Sequence, residues 1–374
     1  MYCFFILWQH HNAYFGQFYS WERPLYFNKK ERPALTMGRP AWFEQVGREV
    51  NAAHTNAALF DSSTFGKISV DGPDAERFLN RLCANNMACE PGRAIYTAIL
   101  NQRGGYESDL TALRLTDESY RLYTGSAAIK RDIAWLCRHL DDERVTITDV
   151  TEDHNVFALM GPHAASIAAS LGAENLNELR FFRHTNVTLA GINVRATRLS
   201  YVGEPGWEIT CNSKQASTLC QHLIDAGAQP AGVFAQTAMR IEKRFLAYGH
   251  DLDTDTTPAN AGLLRTVDFD TDFIGHDALI KQQQQPLRTW ITTLLLNNPD
   301  AVPLGSEPVY FDGNIIGQST SAAFGYRIGK PLAIVTVNHA ETIARLQQGE
   351  TLPASLDIAG EQFDAKLLNG PAYS

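Results

Sequence analysis

Gly72-Pro73-Asp74-Ala75 ends a short strand and opens a helix, and 89 residues later Gly161-Pro162-His163-Ala164 does the same. The reading of this repeated turn decides the fold. Around the first copy, residues 67–70 form a strand. The helix after it carries Ala75, Phe78, Leu79, Leu82 and Cys83 at helical spacing, one apolar stripe. Strands are expected at 96–100, 110–115 and 120–123. A second helix then buries Ile129, Ile133, Leu136 and Leu140, with Ser126 available as its N-cap. Around the second copy the order recurs. A strand at 156–160 precedes the turn, and a hairpin-like stretch at 187–199 and a strand at 207–211 follow it. The closing helix carries Ala216, Leu219, Cys220, Leu223 and Ile224. Two runs of strand, helix, strands and helix imply two α+β units of similar build.

Past Gln282-Gln283-Gln284-Gln285-Pro286 the helical period nearly vanishes. Residues 308–311, the turn Asp312-Gly313-Asn314 and residues 315–320 read as a hairpin. Further alternation at 331–338 and 355–367 predicts a small all-β barrel or sandwich. The first 40 residues are aromatic-rich and poorly periodic, and end in Lys29-Lys30-Glu31-Arg32-Pro33. They read as an irregular arm or linker lying on the body. The expected division is an arm at 1–39, an α+β body at 40–285 and a β domain at 286–374.

Composition narrows the function classes. The chain has 374 residues, which at roughly 150 per domain makes two or three units. Hydrophobic residues at 44% and charged residues at 20% describe folded domains. Lys plus Arg is 32 against 41 Asp plus Glu, a net charge of −9, with no dense basic stripe. That argues against a nucleic-acid partner. The apolar run at residues 3–8 is far short of the roughly 20 that span a bilayer, and no signal-peptide pattern surrounds it. Six cysteines lie scattered without a CxxC pair, as expected for reduced thiols in the cytoplasm. The expected partner is a small molecule, with no membrane and no nucleic acid.

Several chemistries are missing from the pattern. No two glycines are spaced GxG, and no GxxxxGK[ST] occurs. Asp251, Asp253 and Asp255 alternate like the start of a calcium loop, but Thr256 and Gly262 stand where glycine and glutamate belong. The histidines show no HExxH, and His10 and His11 have no spaced partners, so no metal site is expected.

Three clusters remain. In the first, Tyr96 and Asp109 fall on strands joined by a turn at Gly104-Gly105, which brings them near each other. An aspartate among apolar strand residues needs partners if it is buried, although an ordinary hairpin with a solvated aspartate fits as well. The second is Leu199-Ser200-Tyr201-Val202-Gly203-Glu204-Pro205-Gly206-Trp207-Glu208-Ile209. There a carboxylate after a glycine turn suits a ligand with adjacent N–H donors, or is simply a surface glutamate. The third is a helix over 234–245, with Arg240, Lys243 and Arg244 beside the stripe Phe234, Ala238, Ile241 and Phe245. It reads as a solvated face or as an anion site.

In this order the clusters resemble the tetrahydrofolate-dependent aminomethyltransferase family, the T-protein of glycine cleavage. Within it the likeness is greatest to the C-terminal folate half of dimethylglycine and sarcosine dehydrogenases. Matching runs include Leu59-Phe60-Asp61-Ser62-Ser63, Phe78-Leu79-Asn80-Arg81-Leu82, Ala158-Leu159-Met160-Gly161-Pro162 and Met239-Arg240-Ile241-Glu242-Lys243. Trp21-Glu22-Arg23-Pro24-Leu25-Tyr26-Phe27 resembles the segment joining the flavin and folate halves. The resemblance implies a three-lobed body of two related α+β lobes and a C-terminal β-barrel around a folate. It implies transfer of a one-carbon unit, held as an iminium, to N5 of tetrahydrofolate to give 5,10-methylenetetrahydrofolate. By position, Asp109 matches the family's catalytic aspartate, and Glu208 the residue that grips the pterin. Tyr96 and Tyr201 match folate-contacting tyrosines, and Arg240 an arginine lining the site.

The chain also departs from the family. Ser108 stands where many relatives carry a second acid, which argues against a carboxylate pair. Pro205 replaces an Asp or Leu and removes an N–H before Gly206. Residues 1–12 carry no run that resembles the family. A folate-binding, non-catalytic relative would carry a KGCYxGQE signature near Asp272-Phe273-Ile274-Gly275-His276, where none occurs. A non-catalytic remnant, or a direct demethylase of a quaternary ammonium or sulfonium donor, stays open. With no GxG, the chain is expected to lack the flavin half of the dehydrogenases. It would take its one-carbon unit from a methylated amine or its iminium, supplied by a separate flavoprotein.

Overall fold

The computed structural model describes residues 2–18, 21–28, 34, 36 and 38–373. The start of the chain corrects the expectation of an irregular arm. It forms a helix, α1 (Tyr2–His10), and an antiparallel hairpin of β1 (Ala13–Phe18) and β2 (Trp21–Phe27). Trp8, Ala13 and Phe27 sit in the core of the second lobe. The basic stretch expected to end the arm, residues 29–33, lies outside the described residues.

After α2 (Phe43–Thr55) and β3 (Ala58–Asp61) comes the first lobe. Its elements are β4 (Gly66–Asp71), α3 (Ala75–Leu82), β5 (Ala94–Leu100), β6 (Tyr106–Thr116), β7 (Ser119–Thr124), α4 (Ile129–Arg138) and β8 (Thr146–Asp149). The second lobe follows with β9 (His154–Met160), α5 (Ala164–Ser170), β10 (His184–Leu189), β11 (Ile192–Thr197) and β12 (Gly206–Asn212). It ends with α6 (Ala216–Asp225), β13 (Gln229–Ala231) and α7 (Val233–Glu242). The apolar stripe of α3 does what its spacing predicts. Phe78, Leu79 and Leu82 are fully buried against Ile68, Val70 and Leu122, each contributing roughly 1.5–3 kcal/mol. Helix α4 begins one residue after an Ala128 N-cap with no side-chain bond. Ser126, expected in that role, instead donates from its hydroxyl to Thr64 Oγ1 at 2.9 Å.

The two lobes share one plan and exchange a strand. The first sheet runs β5-β6-β7-β4-β8 and the second β10-β11-β12-β9-β3-β13. Strand β3, which precedes the first lobe, pairs with β9 of the second, and β8, which precedes the second lobe, pairs with β4 of the first. The repeated glycines explain themselves here. Gly72 and Gly161 have φ of 146° and 139°. A Cβ on Gly72 would lie 2.1 Å from the Arg144 carbonyl oxygen, and one on Gly161 2.3 Å from that of Asn56. Each glycine therefore admits the backbone that leads into the exchanged strand.

Two short helices, α8 (Pro258–Ala261) and α9 (His276–Gln283), lead to the third lobe. Strands β14 (Trp290–Leu296), β15 (Pro308–Phe311), β16 (Asn314–Gly325), β17 (Lys330–Val337), β18 (Leu352–Ile358) and β19 (Glu361–Leu368) close a six-stranded barrel. This last region is not purely β: α10 (Ala340–Gln347) packs Ile343 and Leu346 into the barrel core. No helix among the described residues is long and apolar enough to cross a membrane.

Candidate functional site

The pleat of β6 sorts its side chains. Leu110 and Ala112 point into the first lobe's core, so Asp109 and Thr111 occupy the opposite face. Across the sheet, Tyr96 of β5 and Tyr123 of β7 both pair with Thr111. One row on one face thus carries Tyr96, Thr111 and Tyr123, with Asp109 beside it. The Tyr96 hydroxyl donates to Asp109 Oδ2 at 2.9 Å, the proximity expected from the glycine hairpin. Burial pushes the Asp109 carboxyl up to about 6; the Tyr96 hydrogen bond opposes that rise and the Asp132 charge adds to it. At the turn, a Cβ on Gly105 would fall 1.9 Å from the Thr254 carbonyl oxygen, so the loop after Leu252 lies directly on the hairpin.

The second acid near Asp109 does not come from the strand. Ser108 points the other way and donates to Asp132 Oδ2 at 2.7 Å. Asp132, on α4, also accepts from Thr124 and pairs with Arg131 at 3.1 Å. It is buried and its carboxyl is raised, first by desolvation. The sequence carried one signal for it: Asp132 falls between Ile129 and Ile133, on the buried edge of the helix.

Glu208 reaches the same space from the other lobe. On β12, Trp207 and Ile209 enter the second lobe's core, which leaves Glu208 and Thr210 on the opposite face. Tyr123 crosses from the first sheet, its hydroxyl 2.9 Å from Thr210 Oγ1, so the faces bearing Asp109 and Glu208 are turned towards each other. Glu208 has no hydrogen-bond partner among the described residues, and burial alone pushes its carboxyl up to about 7. Pro205 leaves this register intact, with Glu208 opposite Ala158, while its carbonyl accepts from the Gly161 N–H at 2.7 Å.

Tyr201 and Arg240 close the third side. The Tyr201 hydroxyl donates to the Leu246 carbonyl at 3.1 Å, and its ring stacks on Phe245 at 6.0 Å. Burial raises the phenol, and Arg240, Asp109, Asp251 and Arg23 all act on it electrostatically. Arg240 is buried, with both terminal nitrogens engaged. Its Nη1 donates to Asp251 Oδ2 at 2.6 Å and to the Phe245 carbonyl at 3.1 Å, and its Nη2 to Ser321 Oγ at 2.8 Å. Asp251 Oδ1 accepts from Thr320 and Ser321 of β16 at 2.6 and 2.7 Å. This buried lattice fastens α7, the 245–252 loop and the barrel to one another. Asp251, which the sequence offered only as the start of a failed calcium loop, is the partner of Arg240. The expected cluster of three cations on one helix does not form. Helix α7 stops at Glu242 with Lys243 as C-cap, and Arg244 takes a φ of 54°, donating to the carbonyls of Ala261 and Ile291.

The site therefore offers two half-buried carboxylates from facing sheets, one bonded to a tyrosine and one free. A planar ligand with adjacent N–H donors fits the free one, because an unpaired carboxylate accepts two parallel hydrogen bonds. A separate open cleft of about 500 Å³, lined by Arg77, Asn80, Arg81, Glu143 and residues 272–274, shares no residue with it.

Comparison with known proteins agrees with this architecture. Residues 4–271 match the GCVT N-terminal domain and residues 290–374 the glycine cleavage T-protein C-terminal barrel domain. The chain is 34% identical over 311 residues to an aminomethyltransferase of Halalkalibacterium halodurans, covering 81% of this chain and 85% of that one. It is 30% identical over 370 residues to the mitochondrial dimethylglycine dehydrogenase of Mus musculus. That match takes in 94% of this chain and 40% of the relative, so the chain spans less than half of that protein's length. The crystal structure of glycine cleavage system aminomethyltransferase T from Bartonella henselae superposes with a TM-score of 0.86 at 25% identity, covering 99% of this chain and 97% of that one.

Proposed function

The chain belongs to the glycine-cleavage T-protein family of aminomethyltransferases, and from that premise we propose that it transfers a one-carbon unit to tetrahydrofolate. The observation that carries the reading is the facing pair of carboxylates, Asp109 bonded to Tyr96 and Glu208 without a partner. Glu208 would hold the amino-pyrimidine edge of the pterin, with Tyr96 and Tyr201 packing against the ligand. Arg240 would act from behind, since its donors are already committed to Asp251, Ser321 and the Phe245 carbonyl. Tetrahydrofolate supplies the amine nitrogens that accept the carbon.

Asp109 has the catalytic role in this proposal. With its carboxyl near 6, it is mostly ionised at neutral pH yet close enough to titration to take and return a proton. Its charge stabilises a cationic iminium in a space that water reaches poorly. The donor we propose is the iminium of a methylated amine of the dimethylglycine class, delivered by a separate flavoprotein dehydrogenase. N5 and N10 each lose a proton as they bond the carbon; the amine leaves with one of these protons and the other is released through Asp109.

The test is titration with tetrahydrofolate by calorimetry or fluorescence quenching, followed by turnover with added formaldehyde as donor. Saturable binding in the micromolar range and formation of 5,10-methylenetetrahydrofolate are expected. Absence of binding at high micromolar folate sinks the proposal.

A further inference from the structure

The N-terminal hairpin places a cation beside the site and gives it nothing to bind. The guanidinium of Arg23, on β2, makes no hydrogen bond and no ion pair among the described residues, and its Nε is buried without a partner. Its two terminal nitrogens are also unbonded, but they are not sealed from solvent in the same way. An arginine tucked into a surface usually reaches a carbonyl or carboxylate with its fork of donors, so an idle one points to a missing acceptor.

The position of Arg23 is fixed from both ends of its strand. At one end the Glu49 carboxylate accepts from the Phe27 N–H at 2.7 Å and the Gly232 N–H at 2.9 Å, and the Tyr26 and Phe234 rings lie 6.3 Å apart. At the other end Phe18, paired with Trp21, stacks on His250 at 6.3 Å, next to Asp251. Tyr201 lies in the same interval: Val202 packs in one core cluster with Tyr26, and the Tyr201 hydroxyl reaches Leu246 in the loop that leads to His250. Arg23 and Tyr201 are close enough to act on each other electrostatically. Asp61 attracts the guanidinium too, but its Oδ2 accepts from Trp8 Nε1 and its Oδ1 from the Ser63 N–H, and no ion pair with Arg23 forms. Burial, the largest influence on Arg23, disfavours its charge, so an anionic partner would relieve it.

We propose that Arg23 binds a carboxylate presented on the Tyr201 side of the site. Two sources share that chemistry: the carboxylate of an N-methylated amino-acid donor, and the glutamyl tail of the folate. The inference rests on the folate reading above and deepens it. It makes the hairpin a part of the binding surface, and it favours amino-acid donors over plain methylamines if the first source is correct.

Two pairs of probes separate the sources in the full chain. Tetrahydrofolate is compared with 6-methyltetrahydropterin, which lacks the glutamyl carboxylates. N,N-dimethylglycine is compared with dimethylamine on protein already saturated with tetrahydrofolate. Calorimetry on the wild type, Arg23→Gln and Arg23→Lys reads each affinity, with thermal melting as the check on folding. One carboxylate-bearing probe should bind about tenfold or more tightly than its counterpart in the wild type. Arg23→Gln should erase that preference while leaving 6-methyltetrahydropterin within about twofold, and Arg23→Lys, which keeps the charge but not the fork, should retain part of it. The pair whose preference is lost names the source. Equal affinities within both pairs, or a preference untouched by Arg23→Gln and Arg23→Lys alike, overturns this proposal alone. A wild type that binds neither pterin takes the folate reading down with it.

Discussion

The two α+β lobes repeat one chain path yet carry different chemistry on the faces they turn towards each other. In the first, Asp109 is bonded to Tyr96 and backed by a second acid, Asp132. In the second, Glu208 stands alone on β12. Both carboxyls are raised mainly by burial, so desolvation does not distinguish them. The partner does. A carboxylate that accepts from a phenol keeps a fixed direction, which suits proton transfer. One with no partner keeps its acceptors for a ligand. In the proposed transfer, a duplicated skeleton would host two functions through the residues that sit on its inner faces.

The sharpest way to break this comparison is Asp109→Asn. If the first lobe does the chemistry, transfer with formaldehyde should fall about 10²–10⁴-fold, the usual range for a lost general acid–base group, with tetrahydrofolate affinity nearly unchanged. Full turnover in that variant would remove the asymmetry. The shared skeleton is tested by Gly72→Ala and Gly161→Ala. Each puts a Cβ 2.1 or 2.3 Å from a carbonyl oxygen, at a φ unfavourable to alanine. Both should lose about 2 kcal/mol or more in denaturant unfolding. A large loss in one and none in the other would mean that the turns are not equivalent parts.

Much of this skeleton was legible before any coordinates. The α3 stripe predicted a helix ending within a residue of the observed Leu82, and the Asp312-Gly313 turn predicted its hairpin. Periodicity reports which face of a strand is buried but not which strand lies beside it, so the exchange of β3 and β8 was out of reach. The N-terminal region failed for local reasons. Helix α1 is apolar nearly all round, and the β1–β2 register shifts between Tyr14 and Phe15, which breaks the period-2 pattern. In α7 the apolar spacing continues past the true end, and no Gly or Pro marks the stop at Glu242. Tyr96 and Asp109 could be paired because they flank a tight turn. Asp132, Asp251 and Arg23 come from distant segments, and only packing brings them in.

Glu208→Gln probes the second lobe with a smaller effect. Losing a charged hydrogen bond should weaken tetrahydrofolate binding by about 1–3 kcal/mol while the bound complex turns over nearly as before. The same variant should change stability, and the sign can be worked out. The Glu208 carboxyl is raised on folding from 4.5 to about 7, so its ionised form destabilises the native state. That penalty is absent below about pH 4, grows between about 4.5 and 7, and is constant above. Glutamine should therefore stabilise the ligand-free protein by roughly 2 kcal/mol at pH 8 and hardly at all at pH 4.5, as read by thermal melts at the two values. The gain at pH 8 is less than the full rise implies, because solvent screens this half-buried group.

The smallest effect isolates the phenol that sets the two carboxylates apart. Tyr96→Phe removes the hydrogen bond that holds the Asp109 carboxyl down against burial, so that carboxyl should rise further above 6. The ionised form is the active one in the proposed transfer, so the wild-type rate should fall as pH drops through about 6. In Tyr96→Phe the same fall should begin at higher pH, by up to about one unit. Above pH 8 both proteins have an ionised Asp109, and their rates should converge to within a few-fold. A pH profile of single-turnover transfer checks this. An unshifted acid limb would mean that Tyr96 only packs against the ligand, and that the bond to Asp109 is not what makes the first lobe different.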